Sequence, residues 1–466
     1  MVIGSGIFFR ADNILGYTKG NVTTATIAWL SLGITLIFAS LCVAFIAQHT
    51  KEEGGTIGYM KEIYGSKVSF ITGWFETIVY IPCLTALLAT IGAKYAFQLI
   101  GFDTNVVNPI YVNILAIVFI LLTYFVNYLG ARHAALFSSF ATVIKLIPIA
   151  VIGLIGLVHT DTTVLAQGAS NFEYDSFTSP LLSMSFAFAG WLVVGSMARD
   201  MENPQRDLSK VLAINLIIVT VVYTTYFFGI SMLMPANEII AQGDAHVGII
   251  AQNVLGSWGG NFVLFCVMIS CLGTLNAKFI AGFKYNHALG AQRNLPYANF
   301  FVKETKRGTN FNAGLITFFV ALIWWALFTI QSYSKFNVGE AAVEAGHYIF
   351  AGITFDDIPV VFTSIEATVL IIGAIILARR KKLPTIKLII FAILGLIGQV
   401  YCIISYIQTN SAWLLYTIIT IAAILIGLVV KAYANKTNPD KLSNLVEYNK
   451  SNLVEERKAE EIGSNI

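Results

Sequence analysis

The chain has 466 residues, 56% of them hydrophobic and only 12% charged, with a formal net charge of +3. A soluble globular domain carries about 25% charged residues, so a water-exposed fold is excluded, and so small a net charge gives no electrostatic footprint for nucleic acid. Apolar runs near the ~20 residues that cross a bilayer recur from end to end, which makes this an all-α polytopic membrane protein with the lipid bilayer as its solvent.

The first run, residues 1–9, is interrupted by Gly4-Ser5-Gly6. Each glycine costs about 1 kcal/mol against Ala inside a helix. Two readings are open: close packing of two membrane helices, or an unwound helix whose freed N–H groups converge on a carboxylate. Residues 7–15 complete this span, with Arg10 and Asp12 placed near its hydrated outer end. Further spans are predicted at about 22–47, 69–98, 109–128 and 134–157. Within 49–67, Ile57, Met60, Ile63 and Tyr64 recur at helical spacing, which predicts a short amphipathic helix in the membrane interface. A polar segment, 159–179, closes the first half.

The second half is predicted to span the membrane at about 181–198, 213–234, 260–283, 313–330 and 358–378, and two extra helices at about 386–408 and 412–433 bring the count to twelve. Residues 1–433 thus form one transmembrane domain, and 434–466, dense in Lys, Glu and Asn, read as a hydrophilic cytoplasmic tail. Cys42, Cys83, Cys266, Cys271 and Cys402 all fall inside apolar runs and read as small core residues without disulfides. Positive residues are retained on the cytoplasmic side. Arg132, the Arg199 to Lys210 group, the Lys284 to Arg307 group and the Arg379 to Lys387 group fall on alternate loops, which puts the C-terminus inside; Lys19 and Lys335 are the exceptions.

The sixth span repeats the feature of the first. Ser183 to Gly195 again carries small residues and a glycine at mid-membrane, where unwound backbone is tolerated only against protein or a water-filled cavity. Carbonyls at the end of that half helix attract an ammonium, as the amides of the first break attract a carboxylate, so together they match a zwitterion. Spans one and six stand five apart and cross in opposite directions, which predicts a five-plus-five inverted repeat over about 1–157 and 181–378 with the site at its midplane. The linker between spans two and three has a counterpart at 236–256 on the opposite side. Paired glycine-bearing spans also arise by chance; position and topology together favour the binding break.

These residues resemble the amino acid–polyamine–organocation superfamily of permeases. The resemblance rests on Gly4-Ser5-Gly6-Ile7-Phe8, on Gly54-Gly55 to Tyr59 with Gly73-Trp74, on Phe186 to Trp191 followed by Glu202 to Arg206, and on Arg293 to Pro296. It implies that Ser5 and Gly6, with the neighbouring amides of Gly4 and Ile7, take a substrate carboxylate. It implies also that carbonyls at Val2, Phe186 and Ala189 take the amino group, that Phe186 closes over the substrate, and that Ala187, Gly190 and Trp191 complete the second break. The family's first helix has further turns before the break, so the start of the chain at Met1 is expected to be truncated or misassigned, with an unusual inner gate as the alternative.

Lys145 sits about 11 residues from either end of span five, roughly 16 Å at 1.5 Å per residue and too deep to snorkel readily, at a cost of at least ~2.5 kcal/mol. It resembles the lysine that sodium-independent members carry in place of a sodium ion. It is therefore read as the ion-coupling residue, the alternative being a lysine held permanently by carbonyls of span one. Glu76 and Glu366 are intramembrane carboxylates with either a functional or a merely satisfied role. Ser270 and Thr274 read as ordinary helix-to-helix hydrogen bonders.

The expected function is that of a secondary active transporter working by alternating access, sodium-independent, and either proton-coupled or an antiporter. Neutral L-amino acids are preferred because no fixed acid marks the pocket. Polyamine or glutamate-family antiport on the same fold, or a membrane sensor that binds without moving its ligand, are the alternatives. No P-loop, nucleophile motif or metal-spaced cluster points to an enzyme, a cofactor or a resident metal. The expected location is the plasma membrane.

Overall fold

The computed structural model describes residues 4–50, 55–104, 106–159, 173–188, 190–194, 204–303, 311–338, 346–351, 353–410 and 413–438. Among them every regular element is a helix. Among the described residues, ten helical stretches are long and apolar enough to cross a membrane. The first and sixth predicted spans are not among those ten; parts of both lie outside the described residues, and the described parts are short pieces. The first is a 3₁₀ turn, Gly6–Phe8, followed by Ala11–Tyr17. The sixth is Leu181–Phe188 and then Trp191–Val194.

Local sequence explains where the long helices start and bend. Asn21 and Asn108 accept from the N–H groups of Thr24 and Ile110, both at 3.0 Å, and so cap Val22–His49 and Pro109–Leu129. The third span runs through Ser66–Phe75, a π-helical turn Glu76–Tyr80, and Ile81–Leu99. His246–Ala291 is bent at Gly256, whose φ of 73° lies outside the helical region. That bend falls at the end of the predicted 236–256 linker, which contains the helix Ala236–Gln242.

Small residues let the helices meet at backbone distance, as apolar solvent gives them no other strong reason to associate. A Cβ on Gly33 would stand 2.2 Å from the Thr220 side chain, one on Gly156 2.2 Å from the Gly229 carbonyl, and one on Gly398 2.0 Å from Thr35 Oγ1. These contacts join Val22–His49, Ala131–Val158, Pro204–Leu233 and Ile386–Thr409.

Several expectations are sharpened. The amphipathic segment is a helix, Thr56–Tyr64, but Ile57, Met60 and Ile63 are buried in protein, and its end is tied down by Tyr64 donating to the Val369 carbonyl and Arg380 to that of Ile63, both at 2.8 Å. Lys19, an exception to the charge pattern, reaches Glu173 at 2.7 Å on the surface, and this contact holds the Glu173 carboxyl below its usual range. The five cysteines are buried and free. The last helix, Trp413–Thr437, outruns its predicted end, and Asn438 bonds the Ala298 N–H and the Arg293 and Leu295 carbonyls, clamping the turn that carries Arg293 to Pro296. The rest of the predicted tail lies outside the described residues.

Candidate functional site

The two breaks face each other. A Cβ added to Gly6 would lie 2.7 Å from Phe186 Cδ1 and 3.1 Å from Ala187 Cα, and one on Gly4 3.6 Å from the Ala187 carbonyl oxygen. In the first break the Phe8 N–H returns to the Ser5 carbonyl at 3.0 Å, which leaves the Gly6 and Ile7 amides ahead of the first hydrogen bond of the turn. In the second break Gly190 takes φ of 117°, a conformation that a side chain disfavours. It stands between Leu181–Phe188, whose last carbonyls lack intrahelical donors, and Trp191, which is buried. Val2 and Ala189, assigned from sequence to the ammonium, lie outside the described residues.

Tyr223, from Pro204–Leu233, ties the breaks together. Its hydroxyl accepts from the Gly4 N–H at 2.8 Å and donates to the Ala187 carbonyl at 3.2 Å. Around it are buried hydroxyls with no hydrogen-bond partner among the described residues: Ser5 Oγ, which lies beside the Cys271 thiol, Tyr95 Oη and Tyr226 Oη. The Tyr226 ring meets Phe8 edge-on at 5.5 Å, and Tyr95 is within electrostatic reach of Tyr226 and Cys271. Orphaned buried polar atoms are rare, and these lie beside the unwound helix, where they are free to hydrogen-bond a polar ligand. Tyr223→Phe would leave a buried N–H and a buried carbonyl unsatisfied, each worth about 1–3 kcal/mol. Its expected result is at least about a tenfold loss in ligand affinity and a lower melting temperature; wild-type values for both would remove Tyr223 from the site.

On the Arg10 side, Phe186 is covered by other side chains. The Phe186 ring packs edge-on against Phe9 at 5.7 Å and lies 4.5 Å beneath the Arg10 guanidinium. Arg10 is in turn bonded to Asp356, at the start of Asp357–Arg380, and both are buried. Arg10 is thus buried and paired with protein, with its Nε lacking a partner among the described residues, where the sequence reading expected water close by. Nearby, Lys94 bonds Asp244 at 2.6 Å, and Asp12 lies in the field of Asp244 and His246.

Against this geometry, the sequence profile described as amino acid permease matches residues 1–437. The chain belongs to the amino acid permease family. The chain is 28% identical over 297 residues to the serine/threonine exchanger SteT of Bacillus subtilis, covering 64% of this chain and 66% of that protein. It is 26% identical over 363 residues to the large neutral amino acids transporter small subunit 2 of Mus musculus, covering 76% and 66%. To the human cystine/glutamate transporter it is 23% identical over 300 residues, covering 63% and 59%. It spans 59–66% of the length of these relatives. They are transporters rather than enzymes, and the superfamily resemblance read from the motifs is confirmed.

The remaining sequence-predicted residues are placed as follows. Lys145 is buried near the middle of Ala131–Val158, three residues before Pro148, which lacks the N–H that would occupy the Ile144 carbonyl. Thr274 donates to the Ser270 carbonyl of its own helix at 2.9 Å, while Ser270 Oγ is buried without a partner among the described residues. Glu76 and Glu366 are brought together, away from the two breaks in sequence and on different helices. Tyr223, Tyr226 and Asp356 carried no motif; their one signal was a polar group inside or at the edge of an apolar run.

Proposed function

We propose that this permease is a secondary active transporter that moves amino acids by alternating access, as an exchanger of neutral L-amino acids. The observation that carries the reading is the meeting of the two helix breaks at Gly6 and Ala187, with Tyr223 between them and unpartnered hydroxyls around them. Amides of Gly4, Ser5, Gly6 and Ile7 face the carboxylate end of a substrate, and carbonyls of Val2, Phe186 and Ala189 its ammonium end. Gly4 is the one amide already engaged, by Tyr223, so the substrate carboxylate falls to the others. Trp191 and Phe186 shape the apolar remainder.

The twelve-span, five-plus-five arrangement accommodates the ten long helices plus the two broken ones, with 1–157 and 181–378 as the repeats and 386–433 as the extra pair. Two of the relatives are named for serine and threonine and for large neutral amino acids, which supports a neutral substrate. The lid of Phe186 under Arg10 and Asp356 closes the site on the side where Glu173 and Asp244 lie, the outer side by the positive-inside rule. The chain then sits in the plasma membrane with its C-terminus inside.

Lys145 stands in for sodium on this reading. Counterflow in proteoliposomes preloaded with each amino acid in turn is expected to show uptake of neutral amino acids at the same rate with and without sodium. No counterflow with any amino acid would overturn the transport reading, and a steep sodium dependence would overturn the role of Lys145 alone.

A further inference from the structure

A second polar cluster lies in the membrane interior, unused by the substrate site. Glu76 opens the π-helical turn Glu76–Tyr80 in the third span, ten residues past Ser66, or about 15 Å of helix. Its carboxyl group lies within hydrogen-bonding reach of Glu366, on Asp357–Arg380. Both are buried, Glu76 at 5% and Glu366 at 3% exposure. Neither oxygen of Glu366 receives a hydrogen bond from any donor among the described residues. Lys278, on His246–Ala291, donates to the Tyr80 hydroxyl at 3.0 Å and stands 4.2 Å from the centre of that ring, within the field of Glu76.

Two ionised carboxylates in contact in a dry interior repel, and each would also carry the penalty of an unsolvated charge. One proton between them resolves both problems. It turns the repulsion into an O–H···O⁻ hydrogen bond, and the single remaining negative charge faces one lysine. Neither Glu366 oxygen has a donor among the described residues, while Glu76 lies in the field of Lys278, so the shared proton is placed on Glu366 with Glu76 accepting.

We propose that Glu76 and Glu366, balanced by Lys278, form a proton-binding site separate from the amino acid site. The groups facing it are Tyr80 from its own turn, Tyr285 from the Lys278 helix and Thr363 from the Glu366 helix. The π turn gives the site a mechanical meaning. Such turns carry one extra residue and occur often at functional positions, and here loading or losing the proton changes the contact between the third and tenth predicted spans. The coupling of that change to transport rests on the transporter reading above; proton binding itself does not.

The experiment is infrared difference spectroscopy of the purified permease in lipid nanodiscs as pH is varied, paired with amino acid exchange in proteoliposomes over the same range. Wild-type protein is expected to show the carbonyl stretch of a buried protonated carboxylic acid, lost on alkaline titration. Glu366→Gln should lose that band and the pH dependence of exchange together. Glu76→Gln supplies an amide donor to Glu366, so the band should be lost at neutral pH there too, which keeps the test valid if one variant fails to fold. A band unchanged in both variants, or one that appears only when sodium is withdrawn, overturns the proton site. Absence of exchange in wild-type liposomes with the band behaving as described overturns the transport reading and leaves the proton site standing.

Discussion

Gly6→Val is expected to abolish amino acid binding and to reduce counterflow to background. The position of its first side-chain atom is already occupied, with Phe186 Cδ1 at 2.7 Å and the Ala187 Cα at 3.1 Å. An alanine there forces the Phe186 ring to shift, an overpacking cost of about 1–3 kcal/mol, and since 1.4 kcal/mol is tenfold in affinity, Gly6→Ala should weaken binding about tenfold or more. Valine adds two methyl groups that a ring shift does not absorb, because the Ala187 contact is backbone. The breaks must then move apart, and the Tyr223 bridge from Gly4 to Ala187 is stretched with them. Binding measured by ligand-induced thermal shift separates this from misfolding. A valine variant that is monodisperse, melts near wild type and still exchanges amino acids would show that the substrate sits elsewhere.

The two breaks were legible because glycine spacing in an apolar run is a local signal, and at Gly190 the backbone angle of 117° states why glycine is required. The short helix at Thr56–Tyr64 was legible by periodicity, although its partners were not: the spacing shows an apolar face, and only the fold shows that the face meets protein. Tyr223 was not legible, since one tyrosine in a run of valines and threonines has no pattern until Gly4 and Ala187, 219 and 36 positions away, arrive at its hydroxyl. The burial of Arg10 was not legible for the same reason. Its partner lies 346 residues on, and without that partner water is the cheapest neighbour for a guanidinium. Glu76 and Glu366 were each visible as intramembrane carboxylates, but their contact depends on packing across helices and on a π turn that no residue type announces.

Breaking the Arg10 to Asp356 pair gives the other large expected effect. Both side chains are under a tenth exposed, and removing one partner of a buried ion pair costs about 3–5 kcal/mol, because the survivor is left charged in a poor solvent. Asp356→Leu should therefore lower the melting temperature by several degrees and free the guanidinium from above Phe186, 4.5 Å away. Asp357 is close enough to act on Arg10, so the loss should fall toward the lower end of that range. The double variant Arg10→Met with Asp356→Leu removes both charges, and apolar replacement of a buried pair is often neutral or stabilising, so its melting temperature should return most of the way to wild type. Exchange should not return with it, since the cation above the Phe186 ring, worth about 0.5–2 kcal/mol to the closed lid, is still missing. Stability recovered without transport identifies the pair as part of the gate. Single-variant losses that simply add, with a coupling energy within about 0.5 kcal/mol of zero, would show that Arg10 and Asp356 do not act on each other, and the lid would then be held by aromatic packing of Phe186 against Phe9 alone.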